Sequence, residues 1–324
     1  MANNVFGSFS GAIFATFATF AGIFGSTTTT RYSTSINLAL MRRAQEGAGE
    51  RHVLFCGARL RRRGRAQRQR ARARLHFDPL PAYDWRIKGV VNEIKDQLEA
   101  SCCWAFAAVG VVESLYAIFT GLLVRLSEQE LMDCCYGQDC CDGEKRKGQT
   151  KFALEYIKRN GISMEEDYPY EGVKGTCRRN TLGSTGERIR IDGYQQVPAN
   201  DKDMQLAVER QPVAVKIRVP QSDLKKFFDY EKGVVSGPSI SPEKYVYDEC
   251  LTHGMVIVAL GHTSRGCNYW VLRNSWGPEW GIGGYMLMRR NPNLASGTYN
   301  INTNALYPTR AYKFEPDTGA FDTT

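Results

Sequence analysis

From Trp104 to Gly121 the chain reads WAFAAVGVVESLYAIFTG, apolar on nearly every side of a helical wheel. A helix without a polar stripe cannot lie on a surface. It has to be enclosed by structure that the rest of the chain supplies. Gly121 provides its stop. At 324 residues, about two domains' worth, the chain is long enough to build that enclosure.

More helix signals crowd around this run. Ser127-Glu-Gln-Glu130 offers an N-cap and opens a short helix. Lys151–Arg159 is amphipathic, and Asn160-Gly161 ends it. The second half changes character. Val213–Val219, Gly254–Leu260, Tyr269–Arg273 and Tyr285–Arg289 are short β-prone runs set off by Gly, Pro and Ser. One further helix begins at Asn200-Asp-Lys-Asp203 and ends before Pro212. A helical first half followed by a strand-rich second half predicts an α+β chain of two lobes with a cleft between them. No internal repeat is visible.

The charge is lopsided. Lys and Arg number 42 against 34 Asp and Glu, a net +8. Thirteen Arg, no Lys and only Glu46 and Glu50 precede Leu75, so about +11 lies there and about −3 on everything after it. A nucleic-acid partner would have to use the Arg59–Arg74 arm, which has no aromatic side chains to stack on bases. That arm reads as a disordered basic linker or processing segment, and no nucleic acid is expected as a partner. Val5–Phe24 is uncharged and rich in Phe, Ala and Gly. It reads first as a secretory signal, second as part of an organellar transit peptide and third as a spanning anchor, so a membrane is met only if it stays uncleaved. Ten cysteines favour an oxidising compartment with a few bridges.

A nucleophilic cysteine needs a helix N-terminus or cation to favour thiolate, a base within reach, and an orienter for that base. Cys103 stands at the start of the buried helix, where the helix dipole favours an anion. His253 follows about 150 residues later, immediately before a predicted strand, and Asn274 ends the next one. Of four histidines, His52 and His76 lie in the N-terminal arm and His262 in a Gly-rich turn, which leaves His253 as the better base.

With these residues in place, the sequence resembles the papain-like cysteine proteases, plant members especially, from about Leu80 to Thr309. The resemblance is carried by Asp84-Trp85-Arg86, Lys95-Asp96-Gln97, Cys102-Cys103-Trp104-Ala105-Phe106, Leu126–Leu131 and Asp167-Tyr-Pro-Tyr170. It continues in Val197–Asp201, Gln211-Pro-Val213, His253-Gly254, Asn274-Ser-Trp-Gly277, Trp280-Gly281 and Tyr307-Pro-Thr309. It implies Cys103 as nucleophile, His253 as base and ion-pair partner, and Asn274 as the acceptor that fixes the imidazole tautomer. It further implies that Gln97 donates its side-chain amide to the oxyanion beside the Cys103 N–H, and that Trp276 covers the His–Asn bond. The implied fold is two-lobed, with a helical N-terminal lobe and a β-barrel-like C-terminal lobe. The implied activity is that of an endopeptidase working through a thioester in protein catabolism. A catalytically impaired, non-enzymatic homologue is the alternative.

On this reading residues 1–26 are a targeting segment and 27–79 an atypical basic pro-region lacking the family's Glu-Arg-Phe-Asn helix. Residues 80–310 are the peptidase domain, split into lobes at 195/196, and 311–324 are a tail. The expected location is secreted or vacuolar and lysosomal. Expected partners are protein or peptide substrates and cystatin-like inhibitors, with the chain a monomer and no cofactor or metal. A zinc reading of Cys134-Cys135 and Cys140-Cys141 gives way to disulfides or spare thiols, because Cys134 and Cys141 match the family's bridge positions.

Departures from the family pattern carry their own expectations. Leu98 and Ser101 replace glycines, with backbone strain of about 1–3 kcal/mol expected there. Ala100 removes one half of a bridge, and Tyr299 stands where the mate of Cys250 is expected, leaving Cys134–Cys177 as the surviving expected disulfide. The resemblance also places Gly143, Glu144, Lys145, Arg146, Lys216, Gly254, Asn304 and Trp276 in the substrate-binding cleft. Lys145, Arg146 and Lys216 stand where apolar side chains are usual, so an acidic substrate residue two before the scissile bond is expected to be tolerated or preferred.

Overall fold

The computed structural model describes residues 82–135, 148–179, 186–240, 250–291 and 293–314. The targeting segment, the basic pro-region, Cys140, Cys141 and the Gly143–Arg146 stretch of the expected cleft lie outside the described residues.

The chain enters through the short strand β1 (Tyr83–Asp84) and reaches the buried helix α1 (Cys103–Thr120). From Ala105 to Ala117 every residue of α1 is buried. The helix is long and apolar enough to cross a membrane, but here it forms the centre of a core. Gly121 ends it at φ 76°, its N–H closing on the Ala117 carbonyl at 2.9 Å, a left-handed cap that favours glycine. Helix α2 (Glu128–Cys134) is capped by Ser127, whose hydroxyl accepts the Glu130 N–H at 2.9 Å. Helix α3 (Thr150–Asn160) buries Ala153, Leu154, Tyr156 and Ile157 and stops at Gly161.

The strands β2 (Ile162–Ser163) and β3 (Arg188–Gln196) follow, then α4 (Asp201–Arg210), capped by Asn200 through the Asp203 N–H. The second half contributes β4 (Val213–Pro220), the short helix α5 (Leu224–Phe228), β5 (Val234–Val235), β6 (Cys250–His262), β7 (Asn268–Arg273), β8 (Tyr285–Arg289) and β9 (Ala305–Phe314). One sheet joins them in the order β2-β3-β9-β4-β6-β7-β8-β5, with β1 on β6. Only the β5–β8 pair is parallel among the described strands.

The sheet separates two cores. Val256 and Val258 of β6 and Tyr269 and Val271 of β7 face α1. Their neighbours Met255, Ile257, Trp270 and Leu272 face a second core with Phe227, Trp276 and Trp280. This period-two alternation, buried on both sides, produces an α+β fold of two lobes.

Two boundaries differ from the sequence reading. Strand β6 begins at Cys250 rather than Gly254, because β4 continues to pair along it from Ile217↔His253 to Pro220↔Cys250. His253 therefore lies inside a strand instead of before one. Strand β9 runs through Phe314, into the segment read as a tail, because Ala311–Phe314 pairs with Arg188–Ile191 of β3.

Cys134 is bonded to Cys177. Cys135 is disulfide-bonded as well, in line with the disulfide alternative to a zinc site. Cys102, Cys103, Cys250 and Cys267 are thiols. Leu98 does sit at a positive φ of 56°, whereas Ser101 does not share that conformation.

Candidate active site

Helix α1 opens with Cys103, next to an N-cap, Cys102, that makes no side-chain capping bond, and its first turn holds no acid. The dipole of the helix therefore favours negative charge at the Cys103 sulfur. Strand β6 comes unusually close to this turn. A Cβ on Gly254 would lie 2.9 Å from the Cys103 carbonyl oxygen, so the absent side chain is what permits the approach. The Gly254 N–H meets Cys103 Sγ at 3.3 Å. The preceding residue on the strand is His253, which is fully buried.

His253 Nε2 lies 2.7 Å from Asn274 Oδ1. The same oxygen accepts the Ser275 N–H at 2.8 Å, which identifies it as oxygen and makes Nε2 the protonated nitrogen. The second nitrogen, Nδ1, is then left as a proton acceptor. Trp276, 3% exposed, covers this bond with its ring centroid 4.6 Å from the imidazole. Phe227 stands edge-on to both rings, and Phe228 stacks on the indole at 5.5 Å. The aromatic group keeps water from the imidazole–amide bond and strengthens it.

Gln97 arrives on a segment that pairs with the strand end bearing Asn274: its N–H donates to Ser275 O at 2.8 Å, and Gly277 N–H to Lys95 O at 3.2 Å. Its side chain is fully buried. Ser275 Oγ donates to Gln97 Oε1 at 2.6 Å, and Gln97 Nε2 donates to Ala100 O at 2.5 Å. Oε1 is thereby fixed as the acceptor and Nε2 as the donor. Ser275 thus orients both amides, Asn274 through its backbone and Gln97 through its hydroxyl. Sequence reasoning assigned it no role, although it stands inside the Asn274-Ser-Trp-Gly277 run.

Beneath the site lies a buried charge cluster. Lys95 Nζ reaches Glu128 at 2.9 Å, Glu165 at 3.1 Å and Glu113 at 3.3 Å. Burial alone would lower the Lys95 pKa, but Glu113 and Glu128 hold it above its ordinary value. Burial pushes the Glu128 carboxyl up to about 7 against the pull of Lys95. Burial also raises the Cys102 thiol well above its usual range and keeps it protonated, which separates it chemically from its neighbour Cys103.

Of the expected cleft residues, Lys216, Gly254 and Asn304 come together: Lys216 is paired opposite Gly254, and its N–H donates to Asn304 O at 3.1 Å. Residues 80–309 match the family model for papain family cysteine proteases. The chain belongs to that family. Among curated relatives, vignain of Phaseolus vulgaris is 42% identical over 244 residues, covering 74% of this chain and 62% of vignain. A KDEL-tailed cysteine endopeptidase of Arabidopsis thaliana is 42% identical over 236 residues, covering 72% of this chain and 60% of that one. This papain-family chain therefore spans about three-fifths of the length of these relatives. Among solved structures, the bromelain protease from Ananas comosus in complex with the E64 inhibitor superposes with a TM-score of 0.60 at 37% identity. That match covers 71% of this chain and 99% of the bromelain chain.

Proposed function

We propose that this chain is a cysteine endopeptidase that hydrolyses peptide bonds through a thioester. The observation that carries the proposal is Cys103 at a helix N-terminus, in contact with the strand whose adjacent residue, His253, is oriented by Asn274. In the proposed cycle the Cys103 thiol gives its proton to His253 Nδ1, and the thiolate attacks the scissile carbonyl carbon. The oxyanion takes hydrogen bonds from Gln97 Nε2 and the Cys103 N–H. His253 then protonates the departing amine, leaving a thioester, and activates the water that hydrolyses it. Acid quenching during turnover of a slow peptide ester tests this: an acyl adduct on Cys103 is expected, and turnover without one would refute it.

Lys216 carries the specificity part of the proposal. Directly opposed residues in an antiparallel pair project to the same face. The position a Gly254 side chain would take points at the Cys103 carbonyl, so Lys216 projects on the nucleophile's side of the sheet. An ammonium there favours Glu or Asp two residues before the scissile bond, more so at low salt. A positional peptide library checks it. A plain Leu or Phe preference, unaltered by Lys216→Val, would end the idea.

Residues 80–310 are taken as the peptidase unit, preceded by a targeting segment and a basic pro-region. Passage through the secretory pathway, in keeping with the KDEL-tailed relative, fits an oxidised Cys134–Cys177 pair. Protein substrates and cystatin-like inhibitors are the proposed partners of a monomer.

A further inference from the structure

The segment from Gln97 to Ser101 contains no cysteine and no regular secondary structure, and it holds Leu98 at φ 56° with more than half its surface exposed. A strained, exposed loop of this kind drifts unless something grips it. Ser275 holds its first residue, Gln97, from one side, and a second grip comes from one short stretch of the helical lobe, Tyr170–Gly172. The Tyr170 hydroxyl donates to the Gln97 carbonyl at 2.8 Å, an oxygen that also accepts the Ala100 N–H at 3.2 Å. Cys102 Sγ lies 3.2 Å from the same hydroxyl. Because that hydroxyl has a single hydrogen and spends it on Gln97, the thiol is the donor in this second bond. Gly172, at φ 74°, receives the Leu98 side chain: a Cβ there would lie 2.8 Å from Leu98 Cδ1.

The stretch is itself anchored. Gln129 of α2 accepts the Glu171 N–H at 2.9 Å and donates to Val173 O at 2.7 Å. Helix α2 ends at Cys134, which the disulfide ties to Cys177. The Tyr170 ring stands edge-on to Phe106 at 5.2 Å, one turn into the helix that Cys103 opens. Loop and nucleophile are therefore referenced to the same rigid body.

We propose that Tyr170 and Gly172 form a brace that positions the Gln97 amide for the developing oxyanion, with Tyr170 a positioning residue of the reaction. The proposal rests on Gln97 serving as the oxyanion donor. One Nε2 hydrogen is committed to Ala100 O, so only the other can reach the reacting oxygen, and its aim depends on where the loop sits. A small drift weakens a contact made in the transition state and leaves ground-state binding alone.

The test compares wild type, Tyr170→Phe, Gln97→Ala and the double variant in peptide hydrolysis, beside alkylation of Cys103 by iodoacetamide, a displacement with no oxyanion. Loss of a whole oxyanion donor lowers kcat about 100- to 1,000-fold. A loosened one should lower it roughly 5- to 20-fold, so that is the loss expected of Tyr170→Phe, at unchanged KM and unchanged alkylation rate. In the Gln97→Ala background Tyr170→Phe should add nothing. An equal loss in both backgrounds, or a parallel fall in alkylation, overturns the brace. If Gln97→Ala leaves kcat intact, the oxyanion assignment fails instead. A second pair of variants keeps the test open should Tyr170→Phe not fold. Gly172→Ala crowds Leu98 at a left-handed backbone position and should lower kcat at unchanged KM and alkylation rate, and it should add nothing in the Gln97→Ala background. An equal loss in both backgrounds overturns the grip on the loop.

Discussion

Tyr299 occupies the position where a partner for Cys250 was expected, and its surroundings indicate what replaces a bridge. The residue is fully buried, at φ 50°, with its hydroxyl donating to Asp223 Oδ2 at 2.6 Å and its N–H to Pro238 O at 3.0 Å. The hydroxyl ties the chain after β8 to the turn before α5, and the ring fills the space beside Gly237. A hydrogen bond to a charged group contributes about 1.5–3 kcal/mol, and Asp223 is only half-buried, so water recovers part of it in the variant. Tyr299→Phe should therefore destabilise by about 1–2 kcal/mol, less than the roughly 2–5 kcal/mol of a native bridge. For a domain of this size that lowers Tm by about 3–6 °C. Thermal melts of wild type, Tyr299→Phe, Asp223→Asn and the double variant measure the coupling. Reductant, which acts on the bridges of Cys134 and Cys135, should lower Tm equally with and without Tyr299→Phe, since Cys250 is a thiol. An unchanged Tm in Tyr299→Phe, or the same loss in the Asp223→Asn background, would refute the clamp. The consequence for function is local, because the following turn delivers Asn304 to Lys216.

Three further outcomes follow from the site. Cys103→Ala should abolish hydrolysis and His253→Ala nearly so, while Asn274→Ala, which removes an orienter, should cost less; kinetics on one peptide series ranks them. Cys102→Ala should retain turnover, because its thiol is buried and protonated, and loss of activity there would shift the nucleophile by one residue. Glu128 has a folded-state pKa of about 7, above its unfolded value, so its contribution to stability is full below the ordinary carboxylate range and is lost as pH rises through 7. Tm should fall across that window, and Glu128→Gln should flatten the slope; an unchanged slope contradicts the assignment.

Local signals made much of this fold readable. The apolar run of α1, the caps Ser127 and Asn200, and the stops Gly121 and Gly161 act within one or two turns, and the helices form where they place them. Strands β3 and β9 were harder to read. Arg188-Ile-Arg-Ile191 alternates, but its partner lies more than a hundred residues away, and Pro308 inside β9 argues locally against a strand. The start of β6 is decided by β4, not by Leu251-Thr-His253 itself. In the site, Cys103, His253 and Asn274 stand out because few residue types can do their chemistry. Ser275, Tyr170 and Asp223 act through hydroxyl and carboxylate contacts that only the folded register creates.

The most direct test is labelling of the full chain with an epoxide of the E64 type, followed by peptide mapping. The account predicts one equivalent bound, all of it on Cys103, with the reaction lost in His253→Ala. Modification on Cys102, or none on the folded protein, would contradict it.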